Sequence, residues 1–390
     1  MVPYTRRDAL KALPALAAGL SGCTQLTGND DSFPAPIQWS TRVREPTPGI
    51  VPDAGPLIVG SKSPFPDYPA MTAIDPKTGE TRWTVEARKG DRSPVGADDE
   101  YAYLFSKGGR VFAVDHQSGE RVWTASVVDV FEADPGVVQF PPLPVGDTVM
   151  LPISGTENDV SDRLVGYSRA DGTERFTVEL SASIAGAPAT DGTGVVVPLL
   201  DGTLHRISAD GTEQWRVDVG PSMSAVEIET GMVFVGSATE ELLAFDAQTG
   251  EKRWSGSLEN TVFSRPLVAD GQVYVGGADY YLYAFDAQTG ARQWRTELDN
   301  AVTNGPTKVG ERLVTVAGGD IFVRGRSGTV PHSPTVLYIH TTDGTLVNDY
   351  RLSGYYDGGP FAWGGAIGDG VYVGLDWQLA RLDSEVLDAE

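Results

Sequence analysis

The sequence predicts an all-β chain folded as an eight-bladed β-propeller of four-stranded antiparallel blades. Three observations carry this prediction. One motif, Ala-x-Asp-x-x-x-Gly-x-x-x-Trp, recurs at a spacing of about 40 residues. Each recurrence is flanked by short alternating apolar runs bounded by Gly and Asp. The last unit stops before its final strand, and a strand-like segment carrying Trp39 stands alone near the other end of the chain.

Taken in order, the chain opens on MVPYTRRDALKALPALAAGLSGC. The run around Arg6 and Arg7 resembles a twin-arginine export signal. The apolar stretch from Ala12 to Leu20 is shorter than the roughly 20 residues that span a bilayer. Leu20-Ser21-Gly22-Cys23 resembles a lipobox, and Cys23 is the single cysteine of the chain. Residues 1–22 are therefore expected to be a lipoprotein signal peptide and 23–36 a polar tether. Residues 37–385 are expected to form one propeller domain. A firm anchor at Cys23 implies two acyl chains, since one binds only marginally.

The repeat units follow. Ala73-IDPKTGETR-Trp83, Ala113-VDHQSGERV-Trp123, Ala244-FDAQTGEKR-Trp254 and Ala284-FDAQTGARQ-Trp294 superimpose without a gap. Gly166-YSRADGTER-Phe176 keeps the spacing with Phe for Trp. Two further units, ending at Trp215 and Tyr350, turn one residue tighter. Residues 361–383 supply three more strands, and PIQWSTRV at 36–43 supplies the fourth, which closes the ring without a free edge.

The motif reads as architecture. The side chains of Asp75, Asp115, Asp246 and Asp286 can accept backbone N–H groups two or three residues on. Gly79, Gly119, Gly250 and Gly290 can take the positive φ that such a turn demands. The small Ala lies on the same strand face as Asp and allows close packing. Trp83, Trp123, Trp254 and Trp294 can fill the gap to the next blade and donate their indole N–H to a backbone acceptor. Repetition argues against a single catalytic site at these aspartates.

Composition narrows the function. The 390 residues carry a net charge of −23, with 7 Lys against 23 Arg. This balance argues against nucleic-acid binding and suits a chain solvated in high salt. One Cys excludes an internal disulfide framework, and 4 His argue against a His-rich metal centre. His116 falls in a repeat turn and is expected to be exposed. His205, His332 and His340 are scattered, with no ligand pair. The acidic run Glu157-Asn158-Asp159-Val160-Ser161-Asp162 lacks the Gly and distal Glu of a calcium loop and reads as solvated.

The units resemble the tryptophan-docking repeats of the pyrroloquinoline-quinone (PQQ) dehydrogenase-like propellers. A lipid-anchored chain of this length is most similar among them to the BamB-like lipoproteins. That resemblance implies a protein-binding scaffold at the membrane surface, with envelope or exported proteins as partners and a monomeric propeller. The enzymes of the superfamily hold PQQ and Ca²⁺ at the ring centre, often against a Cys pair that this chain cannot form. No segment matches their metal ligands, so no cofactor, catalytic residue or metal ligand is expected. The alternatives are a divergent PQQ- and Ca²⁺-dependent dehydrogenase and a solute-binding module using the central tunnel.

Five loop elaborations, at 63–69, 125–140, 155–163, 318–334 and 353–360, all fall on the face opposite the Asp–Gly turns. That face is the expected working surface. Tyr355, Tyr356, Arg324 and Arg326 are its expected partner-binding anchors, because Tyr and Arg are favoured at hot spots.

Overall fold

The computed structural model describes residues 35–388 apart from 45, 53–54, 62–68, 87–93, 107–108, 127–139, 154–161, 221, 319–334, 353–360 and 376–377. Cys23, Arg6, Arg7, Arg324, Arg326, Tyr355 and Tyr356 lie outside the described residues. So does most of each elaborated loop.

Eight antiparallel sheets follow one another in chain order. Seven have four strands, and each runs from an inner strand to an outer one. The eighth sheet combines Phe361–Ile367, Gly370–Leu375 and Leu379–Leu382 with the N-terminal strand Ile37–Thr41. Ile37 pairs with Leu382 and Thr41 with Leu379. The ring is thereby closed by its own first strand.

Blade 1 departs from the four-stranded expectation. Leu57–Gly60, Met71–Ile74 and Thr81–Val85 form its sheet, and the innermost position is held only by the bridges Pro46↔Ser61 and Ile50↔Ile58. Pro46, Pro48 and Pro52 lack the N–H groups that a continuous ladder needs.

Within a blade, strands two and three are buried on both faces, as in Tyr281–Asp286. The outer strand alternates, with charged residues outward around one inward aromatic, as in Lys252–Ser257. Ala73, Ala113, Ala244 and Ala284 stand directly opposite Trp83, Trp123, Trp254 and Trp294 across the outer strand pair. A register shift follows immediately in each case. The small residue makes room for the indole. At Gly166 a Cβ would lie 2.3 Å from the Phe176 ring.

Each aromatic then docks on the glycine of the next blade's turn. A Cβ on Gly119, Gly290 or Gly344 would lie 2.5–2.7 Å from the ring of Trp83, Trp254 or Trp294. The indoles of Trp83, Trp254 and Trp294 donate to the carbonyls of His116, Ala287 and Thr342 at 3.0–3.2 Å. Trp39 completes the circle, donating to the Pro76 carbonyl at 3.1 Å and covering Gly79. Burial of roughly 200 Å² per ring at ~25 cal/mol per Å² is worth at most about 5 kcal/mol per junction. The indole hydrogen bond adds about 1 kcal/mol, so packing dominates.

Blade 7 meets blade 8 differently. After Leu379–Leu382 the chain forms a 3-10 helix, Ser384–Leu387, capped by Asp383. Asn348 donates to the carbonyls of Val386 and Asp388, and Arg312 to that of Leu387. These polar contacts flank an apolar cluster in which Val371, Leu382 and Val386 meet Leu337, Ile339 and Tyr350, which takes the place of an indole on a glycine.

Candidate functional site

Antiparallel strands send the second-to-third loops and the blade-to-blade connections to one face, and the Asp–Gly turns to the other. The turn face is uniform. Asp75 accepts N–H bonds from Lys77 and Thr78, and Asp246 from Gln248 and Thr249, at 2.9–3.1 Å. Arg82 and Arg253 each reach back to those aspartates at 2.6 Å. These guanidinium bonds, then the turn amides, hold both carboxyls down at about 2. Asp115 and Asp286 make the same amide contacts and are also lowered, through Ser118 and Thr289. Gly79, Gly119, Gly250 and Gly290 have φ between 71° and 76°.

His116 corrects the reading of an exposed turn residue. It is buried, and its Nε2 lies 2.8 Å from the Asp99 carbonyl oxygen. The docked Trp83 covers this turn and seals it. Asp162 likewise departs from the solvated-loop reading. It is buried and accepts the Ile184 N–H at 2.7 Å, tying blade 3 to the start of blade 4.

The loop face is stitched by a repeated bond. Leu180, Val219, Leu258 and Leu298, each just past an outer strand, donate to the carbonyls of Asp162, Gly202, Glu240 and Tyr280. The last three occupy one equivalent loop position in blades 4, 5 and 6. All are left-handed, with φ of 89°, 65° and 70°. Glycine adopts this conformation freely. An L-residue there costs about 1–2 kcal/mol. Blade 6 nevertheless places Tyr280 there, with the residue 50 % exposed. Leu200, in the equivalent loop of blade 4, is 49 % exposed. Strained, exposed residues of this kind cluster at functional surfaces.

Below Tyr280 the loop is braced. Asp279 accepts the Tyr283 hydroxyl at 2.5 Å and the Glu259 N–H at 3.1 Å. Burial, then Asp279, pushes the Tyr283 phenol well up. Arg295 pairs with Glu259 and stacks 4.5 Å over the Tyr281 ring. Sequence reading missed Leu200, Glu240 and Tyr280. The signal lay in aligning Asp201-Gly202-Thr203 with Asp279-Tyr280-Tyr281, where Tyr replaces the turn glycine.

Among the described residues no group of three or more His, Cys, Asp or Glu is placed to hold a metal. Gly96, Ala189, Leu267 and Thr307 occupy the inner-strand position that Glu227 holds in blade 5. Arg265 lies 3.5 Å from Glu227 and donates to the Pro188 carbonyl at 3.2 Å, so a blade 6 side chain reaches blade 4. Burial raises the Glu227 carboxyl, against the pull of Arg265. Among the described residues Glu227 is thus already engaged by an arginine.

Closed, Trp-docked blades and a stitched loop face define a β-propeller. The family model described as outer membrane protein assembly factor BamB matches residues 69–155, 156–228 and 200–359. The chain belongs to this family. It is 28 % identical over 137 residues to the outer membrane protein assembly factor BamB of Burkholderia pseudomallei (strain K96243). That alignment covers 35 % of this chain and 33 % of that protein, so the chain matches about a third of the relative's length. The crystal structure of BamB from Moraxella catarrhalis superimposes with a TM-score of 0.67 at 17 % identity, covering 89 % of this chain and 99 % of that one. The computationally designed Ika8 protein superimposes with a TM-score of 0.60 at 14 % identity, covering 90 % and 96 %. These two likenesses show the fold.

Proposed function

We propose that the chain is a lipid-anchored, extracytoplasmic, non-enzymatic scaffold that docks envelope or exported proteins on its loop face. One observation carries the reading. The loop face holds a left-handed, exposed tyrosine on a hydrogen-bonded base beside Asp279, while the left-handed non-glycine residues of the turn face, Thr230 and Asp270, are small and polar. Rigid scaffolds present binding residues on such loops. The family's description as an outer membrane protein assembly factor supports a role in handling other proteins.

In this proposal Arg6 and Arg7 direct twin-arginine export and Cys23 carries the lipid. Tyr355, Tyr356, Arg324 and Arg326 add contacts from the longer loops. Replacing Cys23 by Ala is expected to move the protein from the membrane fraction to the soluble one, read by fractionation. Cross-linking the intact lipidated chain in native membranes is expected to give a defined partner. That partner should be lost when 318–334 is trimmed or when Tyr355 and Tyr356 are both replaced by Ala, with melting unchanged. Undiminished capture by both variants refutes the assignment of these loops.

A further inference from the structure

We infer that the Leu200–Tyr280 surface takes a basic polypeptide segment bearing apolar side chains, an inference that rests on the docking reading above. Five loop-face segments of blades 4 to 6 are 199–203, 237–241, 258–261, 277–281 and 298–301; Arg265, later in the blade 5 to blade 6 connection, is already engaged by Glu227 and the Pro188 carbonyl. Together the five segments contain Asp201, Glu240, Glu241, Glu259, Asp279 and Asp299, and no Lys or Arg. Two of these carboxylates are neutralised or shared locally: Glu259 pairs with Arg295, and Asp279 accepts the Tyr283 hydroxyl. Asp201 is held by Thr203 and Ser181. Glu240 and Asp299 are exposed and make no ion pair among the described residues, although the Tyr338 hydroxyl lies against Asp299.

On the opposite face Asp75, Asp246, Asp98 and Asp147 each have an arginine within 2.7 Å, from Arg82, Arg253, Arg169 and Arg175, while Asp115, Asp210, Asp286 and Asp343 are held by turn amides. What sets the loop face apart is that its carboxylates share the face with two exposed apolar side chains, Leu200 and Tyr280. A segment that supplies Lys or Arg to Glu240 and Asp299, and apolar side chains to Leu200 and Tyr280, satisfies both. An acidic segment is repelled, and a purely apolar one leaves the charges without partners. Tyr280 is the anchor, because its backbone is locked by the Leu298 bond and little ordering remains to be done on binding.

The test places a benzophenone side chain at Leu200, at Tyr280 or within 318–334 of the full-length lipidated chain. The chain is irradiated in native membranes, and the adducts are sequenced. The expected adduct from Leu200 and Tyr280 is a segment with net positive charge. A synthetic copy of that segment should bind the purified chain at least tenfold more weakly after Glu240→Lys with Asp299→Lys. Its affinity should fall as salt rises in the unaltered chain and much less in the variant. Both substitutions are at exposed positions, and unchanged melting checks the fold. An acidic or uncharged segment overturns the inference, as does binding indifferent to the charge reversal. Adducts from 318–334 alone also overturn it while leaving the docking reading in place. No adduct from any of the three positions overturns both.

Discussion

Replacing Gly290 and Gly271 separately by Ala isolates what the docking junction contributes. Both glycines belong to blade 6 and both are left-handed, with φ of 71° and 74°. The backbone penalty is therefore shared, at about 1–2 kcal/mol, offset by about 0.4–1 kcal/mol from the stiffer unfolded chain. They differ in surroundings. A Cβ on Gly290 would lie 2.5 Å from Cε3 and 2.6 Å from Cδ2 of Trp254, whereas a Cβ on Gly271 meets nothing within 4 Å. Trp254 has little room to retreat, since it stands opposite Ala244 and donates to Ala287. Overpacking of this kind costs about 1–3 kcal/mol. Gly290→Ala should thus unfold at a lower urea midpoint than Gly271→Ala by the equivalent of about 1–3 kcal/mol, with a shared slope. Tryptophan emission of the folded Gly290→Ala protein should shift to the red as the indole is displaced. Equal midpoints for the two variants would refute the view that the glycine is required as a seat for the ring.

Other perturbations follow from the same geometry. His340 is fully buried, neither ring nitrogen has a hydrogen bond among the described residues, and burial lowers it to about 4. Its folded value lies below its unfolded one, so stability present above about pH 6.5 is lost as pH falls toward 4. His340→Phe, which copies Phe245 and Phe285, should melt like the parent at pH 8. At pH 5 it should be more stable by about 2 kcal/mol. Asp75 and Asp246 are also depressed, to about 2. Their contribution is present above about pH 4 and is lost between 4 and 2. The Asp75→Asn/Asp246→Asn double variant should show a shallower loss of melting temperature over that window. The difference should shrink in molar salt, because both arginine partners are largely exposed.

The repeat was legible because its period is long, its aromatic is large and its glycine is mandatory. Those features act locally and recur at Trp83, Trp123, Trp254 and Trp294. Ring closure was legible for a related reason, since Trp39 stood without a turn and the last unit without an aromatic. What could not be read were events between blades. His116 lies in a polar turn, yet Trp83 from the preceding blade covers it. Asp162 ends an acidic run, yet it caps the amide of Ile184. Arg206 stands opposite Trp215 where siblings have Ala, and it is buried through Asp191, Thr193 and Gln214. Each outcome depends on a neighbour 20 or more residues away or on a local exception to the repeat. Tyr280 was obscured differently: it sits in a short loop, while attention falls naturally on the long ones.

The docking of each aromatic on the blade that follows gives the ring a sense of rotation. Seven of its eight junctions use an aromatic on a turn glycine, from Trp39 on Gly79 through Trp294 on Gly344. A linear array of eight units would have seven interfaces and two frayed ends. This circle has eight interfaces and no ends. Its start and finish are arbitrary in the folded state, because the Asp383 N–H already meets the Pro36 carbonyl. Joining the two ends of the propeller and reopening the chain between any other pair of blades should leave the same object. The fold itself is indifferent to where that break falls.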